Sequence, residues 1–545
     1  MTGSNTLAID SMYYYTEIPF AAIHGMQTRP RDECELFEGY ISEIDMHCQK
    51  GNTLSSGTDG GHIDLSVHTT TSASFTKPLF IATIANSVSQ FLVGYNIAVL
   101  NTTEKYIFPG HSTMQWSWAV SALAIGAPLG ALIGGHISDS YGRKPALVFN
   151  SIGFLAGGIL QALSVNLQVL TLARFLLGLM SGVATVLVPI YLGELAPPHM
   201  RGMLGTVNHF ALVVGILMAD LLSFPLADDD GWRYLLGVTA AIALFQILLL
   251  PFVVESPRFL LHRNTRDSTA SDILQRLRGY TSSEDVEEEV DTYIAVNTAL
   301  YTPTPRMARK FDMENPPTSI MKKSSVDESN TDSILWEMMT IPRVRFLFGC
   351  SIVLHIGQQL CGVAAVFYYS TSLFEEILNK PLLGTTSIGA INVMFTYVAL
   401  RLMDSCRRKS LALWSIGGMT LSCIGLILAQ IGVINDIRGI PTVMLVNCFV
   451  AFYAIGLGPI PFLWIAEMVE PRYVALTMSI CSGVNWTTNW LVGLIFPLMK
   501  ESLGDLTFVP FAVVLVTLFL FVWVVLPEKR RPVAEKGRIQ QVVPV

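Results

Sequence analysis

The chain has 545 residues, 51% of them hydrophobic and 14% charged, with a formal net charge of −7 and a mean hydropathy of +0.48. That balance excludes a soluble protein of this size, and the mildly negative charge gives no basis for nucleic-acid binding.

Residues 1–76 are Ser/Thr-rich and mixed in charge, with no basic-then-apolar opening. They read as a cytoplasmic tail, leaving the first membrane helix to act as the targeting signal. Apolar runs of about 20 residues follow, each long enough to cross a ~30 Å hydrocarbon core. They fall near 79–100, 116–138, 145–164, 168–192, 202–226, 233–254, 346–372, 384–403, 409–432, 441–466, 473–499 and 507–526. The fold class is therefore an all-α membrane protein of about twelve transmembrane helices. The expected division is a tail (1–76), a six-helix bundle (77–254), a linker (255–345), a second bundle (346–526) and a C-terminal tail (527–545). In the linker, Ile273 to Gly279 and Glu284 to Val290 carry apolar residues at helical spacing, and a Pro/Ser-rich stretch around Pro303, Pro316 and Lys322 to Ser325 reads as flexible. Basic residues cluster on one side (Arg143, Lys144, Arg201, Arg407, Arg408, Lys409, Arg472), which places both termini in the cytoplasm.

The two halves echo each other in order. Asp139 with Arg143 and Lys144 is answered by Asp404 with Arg408 and Lys409; Glu194 with Arg201 by Glu467 with Arg472; and Glu255 with Arg258 by Glu528. A duplicated six-helix unit is the parallel repeat expected when two bundles rock about a central site. All these charges sit at cytoplasmic helix ends, where acid–base pairing across bundles is expected to bias an inner gate; simple anchoring of orientation is the alternative.

Gln358-Gln359, flanked by Gly357 and Leu360-Cys361-Gly362, place two adjacent amides inside an apolar segment. A carboxamide in hydrocarbon costs several kcal/mol without a partner, so the pair marks a polar surface; helix–helix bonding is the other reading. Of the cysteines, five lie in apolar segments, Cys34 and Cys48 in the tail and Cys406 in a basic loop, with neither disulfide nor zinc spacing. No phosphate loop, nucleophile triad or metal-ligand cluster occurs, so no enzyme, cofactor or ATP-driven pump is expected. Asn101-Thr102-Thr103 is a glycosylation sequon abutting the first helix on the expected outer side, and Ser324 and Ser325 follow two lysines in a basic-serine pattern open to phosphorylation.

Several stretches carry a resemblance. Gly134 to Lys144, Pro189 to Pro197 with Arg201-Gly202, Glu255-Ser256-Pro257-Arg258, Leu274 to Gly279, Gln358-Gln359, Phe367-Tyr368-Tyr369-Ser370 and Gly458-Pro459-Ile460-Pro461 resemble the signatures of the sugar porter family within the major facilitator superfamily. Asn485-Trp486-Thr487-Thr488-Asn489 is similar to the animal facilitative glucose transporters. The resemblance implies a major facilitator fold of two six-helix bundles and alternating-access uniport of glucose or a related hexose across the plasma membrane. It assigns sugar contact to Gln358, Gln359, Asn392, Asn485 and Asn489, with Trp486 beside them, and outer closure to Phe367 and Tyr368. For Asn392 and Asn489, interhelical bonding remains the alternative.

Departures from the family pattern include His209 and Ala364 at amide positions and Phe462 at a Trp position, both His209 and Phe462 facing the expected site, and Ala454 at an acidic position. His355-Ile356-Gly357 replaces a Gln-Leu-Ser run, and Arg407 occupies a glycine position. A fructose or polyol porter and a hexose sensor with little flux stay open as alternatives. The histidines predict transport falling as pH drops through about 5 to 7. Gly94-Tyr95-Asn96 lacks the aspartate of proton-coupled relatives, and Asp220 is expected to lie near the outer end of its helix within reach of water. The expected partners are a hexose and the lipid bilayer.

Overall fold

A computed structural model describes residues 75–197, 200–264, 267–280, 282–301, 328–375, 378–432 and 439–528. Cys34, Cys48, the Pro303 to Lys323 stretch, Ser324 and Ser325 lie outside the described residues, as do the side chains of Arg201, Asp404 and Arg472. The first six long helices are α1 (Lys77–Ala98), α2 (Thr113–Tyr141), α3 (Arg143–Ala162), α4 (Leu167–Leu195), α5 (Arg201–Leu226) and α6 (Trp232–Leu249). Short helices α7 (Pro257–Arg263), α8 (Ser268–Arg278), α9 (Ser283–Tyr301) and α10 (Glu328–Thr340) form the insert, the last where no helix was expected. The second half holds α11 (Pro342–Leu360), α12 (Val363–Phe374), α13 (Pro381–Ser405), α14 (Arg408–Gln430), α15 (Ile440–Phe452), α16 (Ile460–Met468), α17 (Pro471–Leu503) and α18 (Val509–Val524).

Ten of the twelve expected segments are long and apolar enough to cross a membrane, counting α11–α12 and α15–α16 as one span each. The last two, α17 and α18, meet that test only together, with a 95° bend between them. At 16 residues α18 is shorter than the ~20 that a perpendicular span needs.

Local chemistry sets the helix ends. Thr76 caps α1 ahead of Pro78, Ser112 and Gln115 form a reciprocal capping box on α2, and Gly142 at φ +110° separates α2 from α3. Two expected spans are broken. The seventh turns at Gly362, φ +94°, where an added Cβ would lie 2.8 Å from the Phe511 ring. The tenth carries a π-helical turn at Tyr453–Leu457, followed by Gly458 and Pro459.

Glycines set the closest packing. On α2, Gly126, Gly130 and Gly134 fall four apart, and a Cβ on Gly130 would lie 1.9 Å from the Leu179 carbonyl oxygen of α4. Gly182 of α4 meets the Ala127 carbonyl in the same way, so the backbones touch as small residues allow. Within the first half, α2 packs on α4, α1 on α5 and α3 on α6; across the halves, α2 packs on α17 and α5 on α13. The insert docks through Arg278, 2% exposed, whose guanidinium donates to the Leu195 carbonyl at 2.7 Å and pairs with Glu289 at 3.0 Å. Burial, then the charge of Glu289, pushes the neighbouring Tyr280 phenol up to about 12.

Candidate functional site: a buried amide chain between broken helices

The break in the tenth span supplies the first acceptors. Pro461 has no N–H to offer the Leu457 carbonyl four residues earlier, so that oxygen is left for a side chain. Gln358 Nε2 donates to it at 3.0 Å and to the Gly458 carbonyl at 2.5 Å. From there the bonds run in one direction. Asn485 Nδ2 donates to Gln358 Oε1 at 2.7 Å, Gln359 Nε2 to Asn485 Oδ1 at 3.0 Å, Asn489 Nδ2 to Gln359 Oε1 at 2.9 Å, and Tyr368 Oη to Asn489 Oδ1 at 2.7 Å. Four amides and a phenol from α11, α12 and α17 thus form one chain. Gln358, Gln359 and Asn485 are buried and Asn489 is half-buried.

The remaining expected residues are placed less closely. Trp486 is buried in an apolar cluster whose other buried members, among them Leu92, Leu123 and Leu192, belong to the first half. Phe462, half-buried, meets the His355 ring edge-on at 4.6 Å between centroids. The Nδ1 of His355 lies 2.8 Å from the Ser351 carbonyl, which can only accept, so a neutral ring leaves Nε2 as an acceptor; that atom is buried without a partner among the described residues. Asn392 is buried on α13 and His209 half-buried on α5, and no hydrogen bond among the described residues joins either to the chain. Phe367 packs half-buried against the core, whereas Tyr368, expected only as a gate, is also the last donor of the chain.

Asp220 differs from expectation. It is 2% exposed, and its Oδ1 has no partner among the described residues. The reason is the α5–α13 seam: Gly389 has no side chain, and Oδ2 sits 2.8 Å from where its Cβ would be. Asn101 of the sequon is likewise 4% exposed, donating to Ser370 Oγ at 2.8 Å and accepting from the Thr371 amide at 3.1 Å. In this conformation it is closed to glycosylation. Beside it Ser372 donates to Glu104 at 2.7 Å and Lys105 pairs with Glu375 at 3.0 Å, so the first and second halves are joined at this end.

At the opposite end, among the described residues, the two arginine–glutamate clamps each close within their own half, while the side chains of Arg201, Asp404 and Arg472, expected in the same gate, lie outside the described residues. Arg143 grips Glu194 with two bonds of 2.9 and 2.8 Å and reaches Asp139 at 3.2 Å. Glu255 accepts from the backbone amides of Arg143 and Lys144 at 3.0 and 3.2 Å. Arg258 lies over the Tyr293 ring. In the second half Arg408 holds Glu467 with bonds of 3.0 and 2.8 Å and donates to the Met403 carbonyl. Lys409 donates to the Leu526 carbonyl at 2.9 Å, and Arg407 approaches Glu528 at 3.9 Å. Each arginine opens a helix whose neighbour ends at the glutamate, so the planar fork closes on the adjacent helix first.

One buried residue went unread in the sequence. Arg174 on α4 is wholly buried and donates to the Asn96 carbonyl at 2.6 Å. Its signal was available as a single charge inside the span at 168–192. Asn96 Oδ1 in turn accepts from Gln161 and Thr239 at 3.3 and 3.1 Å.

Discontinuous helices around buried amides, and matching arginine–glutamate clamps on two halves, define a membrane transporter of the major facilitator fold rather than an enzyme. The chain belongs to the Sugar (and other) transporter family, whose model matches residues 73–535. Solute carrier family 2, facilitated glucose transporter member 4 of Homo sapiens is 32% identical over 483 residues, 84% of this chain and 89% of that protein. Member 3 of the same human family is 32% identical over 482 residues, covering 84% and 90%. Among solved structures, the xylose transporter XylE of E. coli in a partially occluded inward-open conformation shares the fold, with a TM-score of 0.66 at 24% identity over 83% of this chain and 98% of that one.

Proposed function

We propose that this protein is a facilitative carrier for glucose or a related hexose, working by alternating access in the plasma membrane with both termini cytoplasmic. Residues 77–254 and 346–526 act as the two rocking bundles, and 255–345 is the cytoplasmic linker. The observation that carries the reading is the chain from Gln358 to Tyr368. Its amides each offer two donors and an acceptor, and a neutral sugar hydroxyl donates and accepts in the same way, so sugar can replace links of the chain without leaving a buried group stranded. The Arg143–Glu194 and Arg408–Glu467 clamps hold the cytoplasmic helix ends, and their rearrangement gates the inner side. Asn96 in the first helix gives no carboxylate for proton coupling, which supports uniport.

A second reading, a fructose or polyol porter, is favoured by His355: its Nε2, without a partner among the described residues and beside Phe462, is an acceptor where the family pattern has a Gln-Leu-Ser run. Zero-trans uptake of labelled glucose, with and without excess fructose, in cells lacking hexose carriers tests both. Saturable glucose uptake that survives collapse of the proton gradient is expected. Fructose uptake without glucose uptake, at confirmed surface expression, selects the second reading.

A further inference from the structure

A groove of about 650 Å³ runs down the outside of the second half between α14 and α18, away from the amide chain. One wall is the stripe Ser410, Trp414, Gly417 and Leu421, residues three or four apart on one face of α14; the other includes Phe519 and Leu520 of α18. Trp414 and Leu421 are 75% and 73% exposed. The recess exists because of two glycines. A Cβ on Gly418 would sit 2.3 Å from the Phe452 ring, which lets α15 close in behind, while a Cβ on Gly417 meets only Phe519 at 3.5 Å and leaves the floor open.

Length and charge say what fits. From Ser410 to Leu421 the groove is about 16 Å long at the α-helical rise, and half of a ~30 Å hydrocarbon core is about 15 Å. It therefore matches the acyl chain of one leaflet. One turn before Ser410, on the same face, stands Arg407, its side chain 75% exposed. Where the first half has Gly142 at φ +110°, Arg407 takes an ordinary extended φ of −74°, so a long cation replaces a glycine at this one end of the repeat. The carboxylate of Glu528, just beyond the end of α18, approaches Arg407 only at 3.9 Å, and Lys409 is close enough to bond the Leu526 carbonyl. Both walls of the groove thus end where, among the described residues and apart from the paired Arg408 and Glu467, Arg407 and Lys409 stand near the Glu528 carboxylate.

We propose that this groove binds a phospholipid with an acidic headgroup, its acyl chain along Trp414 and Gly417 and its phosphate and headgroup charge at Arg407. The site rests on the membrane placement given above, with this end at the cytoplasmic leaflet, where acidic lipids concentrate. An acidic headgroup competes with Glu528 for Arg407, so the carboxylate tunes occupancy downward.

The test is photolabelling of the full chain in phosphatidylcholine vesicles, using trace phosphatidylserine or phosphatidylcholine with a photoactivatable group in the acyl chain, followed by peptide mapping. Phosphatidylserine is expected to label the α14 and α18 peptides about fivefold more than phosphatidylcholine, the preference that one basic residue at the surface supplies. Arg407→Gln, a change at an exposed side chain, removes that preference and leaves phosphatidylcholine labelling unchanged. Glu528→Gln increases the preference, and Gly417→Leu lowers labelling by both lipids. Equal labelling by the two probes, a preference that survives Arg407→Gln, labelling spread evenly over all lipid-facing helices, or displacement of both probes by cholesterol overturns the proposal. None of these readouts depends on sugar flux, so failure here and failure of the hexose reading are separable.

Discussion

Each amide of the chain from Gln358 to Tyr368 is both donor and acceptor, and this makes single substitutions costly. Gln358→Leu removes the partner of the Leu457 and Gly458 carbonyls and strands one proton of Asn485 in a buried place. Leaving a buried polar group unpaired costs about 1–3 kcal/mol, so this variant is expected to melt earlier as well as to bind sugar more weakly. Thermal melting and D-glucose affinity of the purified protein check it, and unchanged affinity for every transported sugar discards the assigned role. Tyr368→Phe removes only the terminal donor, leaving Asn489 half-buried and free to turn to water. It is expected to cost no more than about 1 kcal/mol of stability, with any larger loss appearing in sugar affinity. The adjacent glutamines were legible in the sequence because amides in an apolar run demand partners. That the partners are one another, and carbonyls freed by Pro461, depends on contacts some 100 residues apart, which spacing along the chain does not encode.

Helix-level features divide into those that sequence periodicity reveals and those that packing imposes. Apolar length revealed ten spans directly, whereas the breaks at Gly362 and at Tyr453–Leu457 were not read, because an apolar run looks the same whether its helix is straight or broken. The charge repeat was legible too, but the clamp geometry was not. Arg143 and Arg408 close on neighbours in their own halves because those glutamates end adjacent helices, a fact of tertiary placement. The glycine stripe on α2 gives a graded prediction. Gly130→Ala puts a Cβ 1.9 Å from a carbonyl that cannot retreat without moving α4, and is expected to cost about 1–3 kcal/mol by overpacking; Gly135→Ala, with open space around it, leaves the melting temperature unchanged. In the insert, the Tyr280 phenol donates to Glu289 at 3.1 Å, and its folded-state value of about 12 lies above the ordinary 10.0. The docked form therefore prefers the neutral phenol, so docking is unaffected below pH 10 and weakens as pH rises from 10 towards 12. Hydrogen exchange of α9 in the intact protein should quicken over that window, and Tyr280→Phe should flatten its share of the response.

Across the whole molecule, the two halves are joined at one end by side chains, and at the other end the arginine–glutamate clamps lie within each half. The joined end carries bonds of unequal strength. Asn101 is buried and satisfied by Ser370 and the Thr371 amide, whereas Lys105–Glu375 is a surface pair with the lysine side chain 63% exposed. Exposed ion pairs contribute about 0–1 kcal/mol, and a severed buried hydrogen bond costs about 1–3 kcal/mol, so the two classes of contact should move the open–closed balance to different extents. Lys105→Glu is expected to shift that balance by no more than about fivefold, and the exchange Lys105→Glu with Glu375→Lys to restore it. Asn101→Ala removes both buried hydrogen bonds, to Ser370 and from the Thr371 amide, and is expected to shift it by about five- to a hundredfold towards separation of α1 from α12. A distance probe between the ends of α1 and α12, in membranes and with and without glucose, measures the balance directly. A larger effect from the charge reversal than from Asn101→Ala would mean that the closed state is held electrostatically, and its stability would then fall steeply with salt, which the buried amide contact predicts it should not.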